Sequence, residues 1–276
     1  MWMWPRGNSP ALPAVLGFCV AWGLRGDAMA KKLLLSSVAL VSLITHSASA
    51  APPTNWSGFY VGGNFGGGWG SVNSYYDVTE TFLLFNTIAD PAVSGSQGIS
   101  GVLGGVQAGY NFQTGNWVFG LVTDFEVSGL ASEAVVGVPV VLDPDSAILS
   151  STVTDDHIVQ LPWFGTLRGS LGVTPANNWL LYATGGLAYG EIYESNTLYS
   201  PFALAAAAAG SHDLIRAGWT VGGGIAMALS SQWSAQLQYL YLDFGCFSDT
   251  AVSSDGFASA TINSHLTANV ITIGLN

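Results

Sequence analysis

Apolar side chains alternate with small or polar side chains along eight stretches of the chain. In the first stretch, one face carries Phe59, Val61, Phe65 and Trp69. The other face carries Tyr60, Gly62, Asn64 and Gly66. A period of two predicts β-strands with one apolar and one polar face. The eight predicted strands cover residues 59–70, 101–113, 117–128, 160–173, 179–191, 215–229, 233–245 and 266–276.

The connections between these strands alternate in length. Three are short and rich in turn-forming residues, at 114–116, 175–178 and 230–232, and the other four are long. This alternation is typical of a barrel whose short turns face the periplasm and whose long loops face outward. The sequence therefore predicts an all-β fold: an eight-stranded antiparallel up-and-down transmembrane β-barrel.

Four tryptophans follow an amide residue close to the start of a predicted strand. The pairs are Asn55-Trp56, Asn116-Trp117, Asn178-Trp179 and Gln232-Trp233. A tryptophan ring is apolar while its N–H needs a polar partner, so tryptophan favours the boundary between membrane and water. We therefore predict that Trp56, Trp117, Trp179 and Trp233 form an aromatic girdle.

Within the strand cores, charged residues avoid the apolar faces. A lysine or arginine there would cost on the order of 2 to 4 kcal/mol at the bilayer midplane. A soluble barrel of the lipocalin type would instead carry its charges outward, and a chain with 8% charged residues cannot supply them. Asp124 and Glu126 of the third strand and Arg168 of the fourth fall on inward positions. We predict an ion pair that fills the lumen, because eight strands enclose only enough space for side chains; the alternative is a charged constriction.

The N-terminal part of the chain has the features of a leader. Residues 31–50 combine two lysines, an apolar run and a small-residue cleavage site, as in a secretory signal peptide. Since Met29 stands just before this segment, we expect 29–50 to be the signal peptide, 1–28 an upstream extension of the reading frame, and 51–276 the barrel. The rival interpretation, a membrane anchor at 11–24, is shorter than the roughly 20 residues of a spanning helix.

The charge balance excludes one class of partner. After residue 50 the only basic side chains are Arg168 and Arg216, and the whole chain carries a formal net charge of −11. Nucleic acid is not an expected partner, because phosphate binding needs clustered lysine and arginine. The two cysteines, Cys19 and Cys246, leave no intrachain disulfide after processing.

The long connections are acidic and contain two histidines next to aspartates, His157 after Asp155-Asp156 and His212 before Asp213. Carboxylates could bind divalent cations that bridge lipopolysaccharide phosphates. However, the spacing matches no calcium loop and no paired metal-ligand motif. We therefore predict a solvated acidic rim, with no metal, cofactor or catalytic residue.

Several strand motifs resemble the small porin-like, opacity-type outer-membrane β-barrel proteins of Gram-negative bacteria. They are 56–64 (WSGFYVGGN), 163–169 (WFGTLRG), 181–190 (LYATGGLAYG), 218–224 (GWTVGGG) and 239–245 (YLYLDFG). The resemblance implies export to the cell outer membrane, with outer-membrane lipids, lipopolysaccharide and the outer-membrane insertion machinery as partners. Members usually end in an aromatic residue. Here the sequence ends at Asn276, which we interpret as a truncated frame or inefficient insertion.

Three functional hypotheses follow. The first is a structural role in envelope integrity or a weak porin-like role, and the alternative is a surface adhesin or ligand-binding barrel. The third is a lipid A-modifying barrel enzyme, which needs a Ser-His-acid group. Only His265 and nearby serines, among them Ser264, support it, so we do not expect an enzyme.

Overall fold

A computed structural model describes residues 55–82, 85–89, 93–141, 150–176, 178–199, 206–252 and 258–276. The segments 1–28 and 29–50, predicted as an extension and a signal peptide, lie outside the described residues. The strands are β1 (Gly58–Phe82), β2 (Phe85–Ala89), β3 (Val93–Thr114), β4 (Trp117–Val141), β5 (Ser150–Ala176), β6 (Trp179–Tyr199), β7 (Ala206–Ala228), β8 (Ser234–Val252) and β9 (Ala258–Leu275).

The strands form one closed antiparallel sheet. Both β2 and β3 pair with β1, and from β3 onward each strand pairs with the next one in sequence. The wall closes where β1 pairs with β9, from Gly63↔Leu275 to Glu80↔Ala258. The short β2 continues the line of β3 along β1, so that the wall has eight members. The predicted fold class is therefore confirmed. In the described part of the chain, no helix is long and apolar enough to cross a membrane.

The strands extend far beyond their predicted outer ends. The β4–β5 ladder runs from Trp117↔Val173 to Val141↔Ser150, through the long connection 129–159 that was expected between the predicted strands. The loop assignment was wrong because the alternation of apolar and polar residues weakens where the wall leaves the lipid, although backbone pairing continues. Backbone hydrogen bonds need no apolar face, so hydropathy does not mark the end of a strand that stands in water.

The outer face carries an apolar band with aromatic residues at both edges. On β4, Trp117 lies at the periplasmic edge, and Val127, ten residues further, pairs with Trp163 of β5. Ten residues span about 33 Å along a strand, which a tilt of about 40° reduces to a band about 25 Å tall. At the outer edge Trp163 stacks on Phe125 with ring centroids 5.5 Å apart, and Trp219 contacts Tyr241 at 5.4 Å. The band matches the apolar thickness of an outer membrane.

One seam of the wall opens above this band. Pairing between β7 and β8 runs from Ala228↔Ser234 only to Trp219↔Asp243, although β7 begins at Ala206 and β8 continues to Val252. At the branch point Gly245 has a φ of +70°, which favours glycine. The register of β8 against β9 also shifts there, between Asp243 and Cys246. Beyond the branch, β7 stays paired with β6, and β8 stays paired with β9. The edges of β7 and β8 that face each other do not pair with each other there.

Candidate functional site in the barrel interior

Three of the four predicted girdle tryptophans lie on the outer face. Trp117, Trp179 and Trp233 are 52%, 39% and 55% exposed to the lipid side. Trp56 is different, and its girdle assignment is corrected. It is half-buried and, like Tyr182, packs against the inward-facing cluster of Val118, Leu180 and Ala226.

The segment before β1 is fixed across the periplasmic mouth. The Trp56 backbone N–H donates to Gln113 Oε1 at 2.8 Å, and the Gln113 N–H donates to Ser57 Oγ at 2.9 Å. The sequence contained the signal for this inward position. Phe59 and Val61 face outward, so an even-numbered residue of the same extended segment faces inward.

Above the mouth lies a polar layer, which comprises Asn64, Asp124, Glu126, Thr166, Arg168 and Gln238. Arg168 is 1% exposed and forms an ion pair with Asp124. Its Nε donates to Thr166 Oγ1 at 2.7 Å, and its Nη1 donates to Gln238 Oε1 at 3.1 Å. Thr166 Oγ1 donates to Asp124 Oδ1 at 2.8 Å. The guanidinium is therefore held at fixed geometry by three neighbouring side chains.

Glu126 lies in the same layer but outside that ion pair. The Asn64 side-chain amide donates to Glu126 Oε1 at 2.5 Å. The other carboxylate oxygen, Oε2, is buried and has no hydrogen-bond partner among the described residues. Of the three residues predicted to interact, the structure brings Asp124 and Arg168 together and gives Glu126 a separate partner.

The outer half of the interior is an apolar layer that the sequence analysis missed. It consists of Val72, Ile99, Leu103, Leu130, Val159, Leu161, Phe164, Ala188, Ile192, Leu240, Leu242, Phe244, Phe247, Leu266, Ala268 and Val270. All are buried, and Phe164, Phe244 and Phe247 are among the largest fully buried side chains. The motif at 239–245 contained a signal, because both of its faces are apolar, which a strand between lipid and water does not need.

A second polar group covers the apolar layer on its outer side. His157 lies in β5 and is fully buried, so its assignment to a solvated loop was wrong. Its Nε2 lies 2.8 Å from Glu194 Oε1, and its Nδ1 lies 2.5 Å from Gln97 Nε2. Because the Gln97 amide donates, the network assigns the imidazole proton to Nε2. Ser132 Oγ donates to Gln97 Oε1 at 3.2 Å.

The residues considered for an enzyme do not assemble. His265 Nε2 lies 2.8 Å from Asp243 Oδ1 on the outer face of the wall. Ser264 is buried in the interior and interacts with Ser74 Oγ at 3.1 Å, so it lies on the opposite face from His265. Cys246 is exposed and pairs in register with His265. Among the described residues no group of three or more His, Cys, Asp or Glu side chains could hold a metal ion.

Residues 36–276 match the family model of the outer membrane protein beta-barrel domain, and the chain belongs to this family. It is therefore a protein of the Gram-negative outer membrane. The 31 kDa outer-membrane immunogenic protein of Brucella melitensis is 33% identical over 239 residues, which cover 83% of this chain and 88% of the relative. The 22 kDa outer membrane protein of Rhizobium leguminosarum bv. viciae is 25% identical over 197 residues, covering 71% and 68%.

Two solved barrels are similar in fold alone. The outer membrane protease OmpT from Escherichia coli aligns with a TM-score of 0.41 and 9% identity, covering 78% of this chain and 95% of OmpT. Ail, the attachment invasion locus protein of Yersinia pestis, aligns with a TM-score of 0.27 and 11% identity, covering 76% and 98%. Both scores are too low for any conclusion about function.

Proposed function

We propose that this protein is a structural, non-conducting barrel that supports the integrity of the outer membrane. The observation that carries the proposal is the apolar layer across the outer half of the lumen. An ion or polar solute crossing that layer would exchange water for hydrocarbon without a compensating partner. Hydrophobic constrictions of this kind exclude water from channels.

The polar layer supports the same role. Arg168 and Asp124 are almost fully buried and joined to each other, so they fill space and connect neighbouring strands instead of facing a water column. A buried pair of this kind contributes little net stability, but removal of one partner is costly because the other charge stays buried. The two layers together resist opening of the barrel by different means.

Leakage of small sugars from liposomes tests this function. Wild-type protein should give no more leakage than empty liposomes, since the apolar layer blocks the lumen. A Leu242→Ser/Phe244→Ser variant, which makes that layer polar, should leak. Its matched control is Leu237→Ser/Tyr239→Ser on the lipid face of the same strand. Leakage by the wild-type protein at the level of the opened variant would refute a sealed lumen.

The structural role also predicts a cellular phenotype. Cells that lack the protein should take up more of a hydrophobic dye and survive detergent poorly. Wild-type protein should restore both properties, and so should the Leu237→Ser/Tyr239→Ser control if it folds. Unchanged dye uptake in the deletion strain would argue against a structural role.

A second candidate, binding at the cell surface, is favoured by the open seam between β7 and β8. Above Trp219↔Asp243 the two facing strand edges do not pair with each other, and such edges accept an extended peptide as an added strand. Lysine on an edge blocks this mode. Adhesion should therefore fall in Ala217→Lys, whereas Ser195→Lys, on a strand paired on both sides, should bind normally. Equal adhesion of the two variants would remove this candidate.

A further inference from the structure

Below the polar layer the interior opens into a cavity of about 200 Å³ at the periplasmic end. The segment 55–57 and the turn around Gln232 form its rim. Because the apolar layer closes the barrel further out, the cavity is a blind pocket that a ligand can enter only from the periplasm. By volume it holds roughly six waters, which is about the space of one sugar ring.

The lining of the cavity is aromatic and polar but uncharged. Trp56, Tyr60 and Tyr182 contribute rings, and Asn111, Ser170 and Gln238 contribute amide or hydroxyl groups. None of the described residues around the cavity is Asp, Glu, Lys or Arg. Aromatic faces pack against the C–H groups of a pyranose ring, while amides and hydroxyls exchange hydrogen bonds with its hydroxyls. A charged ligand would find no counter-charge among these lining side chains.

Several polar groups of the lining have no hydrogen-bond partner among the described residues. The Trp56 Nε1–H is buried without a hydrogen-bond acceptor among the described residues. A buried indole N–H usually finds an acceptor, and orphaned buried donors are rare because they lose their hydration without compensation. In the described part of the chain, the side chains of Tyr60, Asn111 and Ser170 also make no hydrogen bond to another residue.

Three other amides of the lining are hydrogen-bonded to one another, so only part of the polar lining lacks partners. Gln107 Nε2 donates to Asn276 Oδ1 at 2.5 Å, and Gln236 Nε2 donates to Gln107 Oε1 at 3.0 Å. Asn276 Nδ2 completes the ring by donating to Gln236 Oε1 at 3.2 Å. This closed ring stabilises the barrel end, whereas the side chains of Trp56, Tyr60, Asn111 and Ser170 take no part in it.

We propose that the periplasmic cavity binds one ring, at the end of a chain, of a neutral saccharide. Trp56 supplies the face of its indole and the unpaired Nε1–H donor, and Tyr60, Asn111 and Ser170 supply further hydrogen bonds. Two periplasmic sources share this chemistry: glycan strands built from N-acetylhexosamine, and soluble glucans built from glucose. The proposal goes beyond the structural role and does not depend on whether the lumen conducts.

The test is a titration followed through the indole N–H signals in NMR spectra. The full chain is folded in an amine-oxide detergent, because sugar-headed detergents would compete. The probes are disaccharides of N-acetylglucosamine and of glucose, with glucuronate as the charged control. We expect the Trp56 signal to move with at least one neutral sugar and to saturate in the millimolar range, while the outward-facing Trp179 signal stays fixed. The preferred sugar identifies the source.

Two variants keep the inference falsifiable. Trp56→Phe keeps an aromatic ring but removes the N–H, and should weaken binding about three- to tenfold, the effect of one lost hydrogen bond. Binding to this variant is followed by calorimetry. Trp179→Phe is the matched control and should bind like the wild type. Heat-dependent gel mobility verifies that both variants fold.

The second variant narrows the cavity without removing a polar group. A Cβ added at Gly120 would lie 2.3 Å from Ser170 Oγ and 2.5 Å from Asn111 Oδ1, so Gly120→Ala displaces these two lining side chains from their present positions. It should weaken binding as well. The proposal is overturned if no neutral sugar moves the Trp56 signal at tens of millimolar, if Trp56 and Trp179 respond alike, or if glucuronate binds equally well.

Discussion

The two halves of the barrel interior are built from the same strands but are held together by opposite chemistry. On β5, Arg168 in the inner half is joined to an acid and a hydroxyl, whereas Phe164, four residues further out, belongs to the apolar layer. On β8 the change occurs between Gln238 and Leu240. The comparison shows that lipid fixes the residues only on the outer face of the wall. The inward-facing residues can therefore be polar at one end of a strand and apolar at the other.

The largest effect is expected at Arg168. Arg168→Leu leaves Asp124 buried without its cation, which should lower the free energy of unfolding by about 3–5 kcal/mol. The measurement is a urea titration that follows the heat-dependent gel shift. The double variant Arg168→Leu/Asp124→Leu removes both charges and should recover most of the loss. If the double variant is as unstable as the single one, the ion pair is not the cause.

Removal of a side chain from the apolar layer should have a comparable or slightly smaller effect. Leu242 is fully buried, so Leu242→Ala should cost about 2–5 kcal/mol because it leaves a cavity. Leu237, on the lipid face of the same strand and 46% exposed, is the matched control. Lipid tails refill the space that Leu237→Ala leaves, so its cost should be clearly smaller. Equal costs in the urea titration would contradict tight packing in the outer half.

The two acids of the polar layer should respond unequally to neutralisation. Glu126→Gln keeps an acceptor for the Asn64 amide and removes a carboxylate that has no cation partner, so stability should change by no more than about 1 kcal/mol. Asp124→Asn leaves Arg168 without its counter-charge and should be clearly less stable. A greater loss of stability in Glu126→Gln than in Asp124→Asn would show that Arg168 is neutralised by Glu126 and not by Asp124.

The smallest effect concerns the open seam. The amides of β7 between Ala206 and Gly218 lack a partner on the β8 side, so many of them should exchange with solvent faster than those of β6, which pairs on both sides. Hydrogen exchange read by mass spectrometry compares the two segments directly. Uniform protection across β6 and β7 would mean that the seam is closed in solution.

The sequence predicted the wall of the barrel better than its interior, for a physical reason. Lipid requires an apolar residue at every second position of a strand. This requirement produces the alternating pattern seen at Phe59, Val61 and Phe65. Interior positions only have to fill space, so both Arg168 and Phe164 are acceptable there. The contacts of Glu126 and Gln97 depend on which side chains meet across the lumen, and no pattern along one strand contains that information.

Other differences arose where the lipid pattern stops. His157 looked solvated because it follows two aspartates in a polar stretch, yet the β4–β5 ladder continues past it and places it inside the barrel. Trp56 was assigned to the aromatic girdle because it follows Asn55. Its even number, which it shares with the inward-facing Tyr60, was the better guide to its direction. The identity of a neighbour indicates a motif, whereas the position within the period of two decides which way a side chain points.

Planar-bilayer recording of the purified, folded protein shows directly whether the apolar layer seals the lumen. A sealed lumen gives a flat current across the wild-type protein, and discrete steps are expected once Leu242→Ser/Phe244→Ser makes the layer polar. Reproducible steps of uniform size from the wild-type protein, unchanged in that variant, would contradict it.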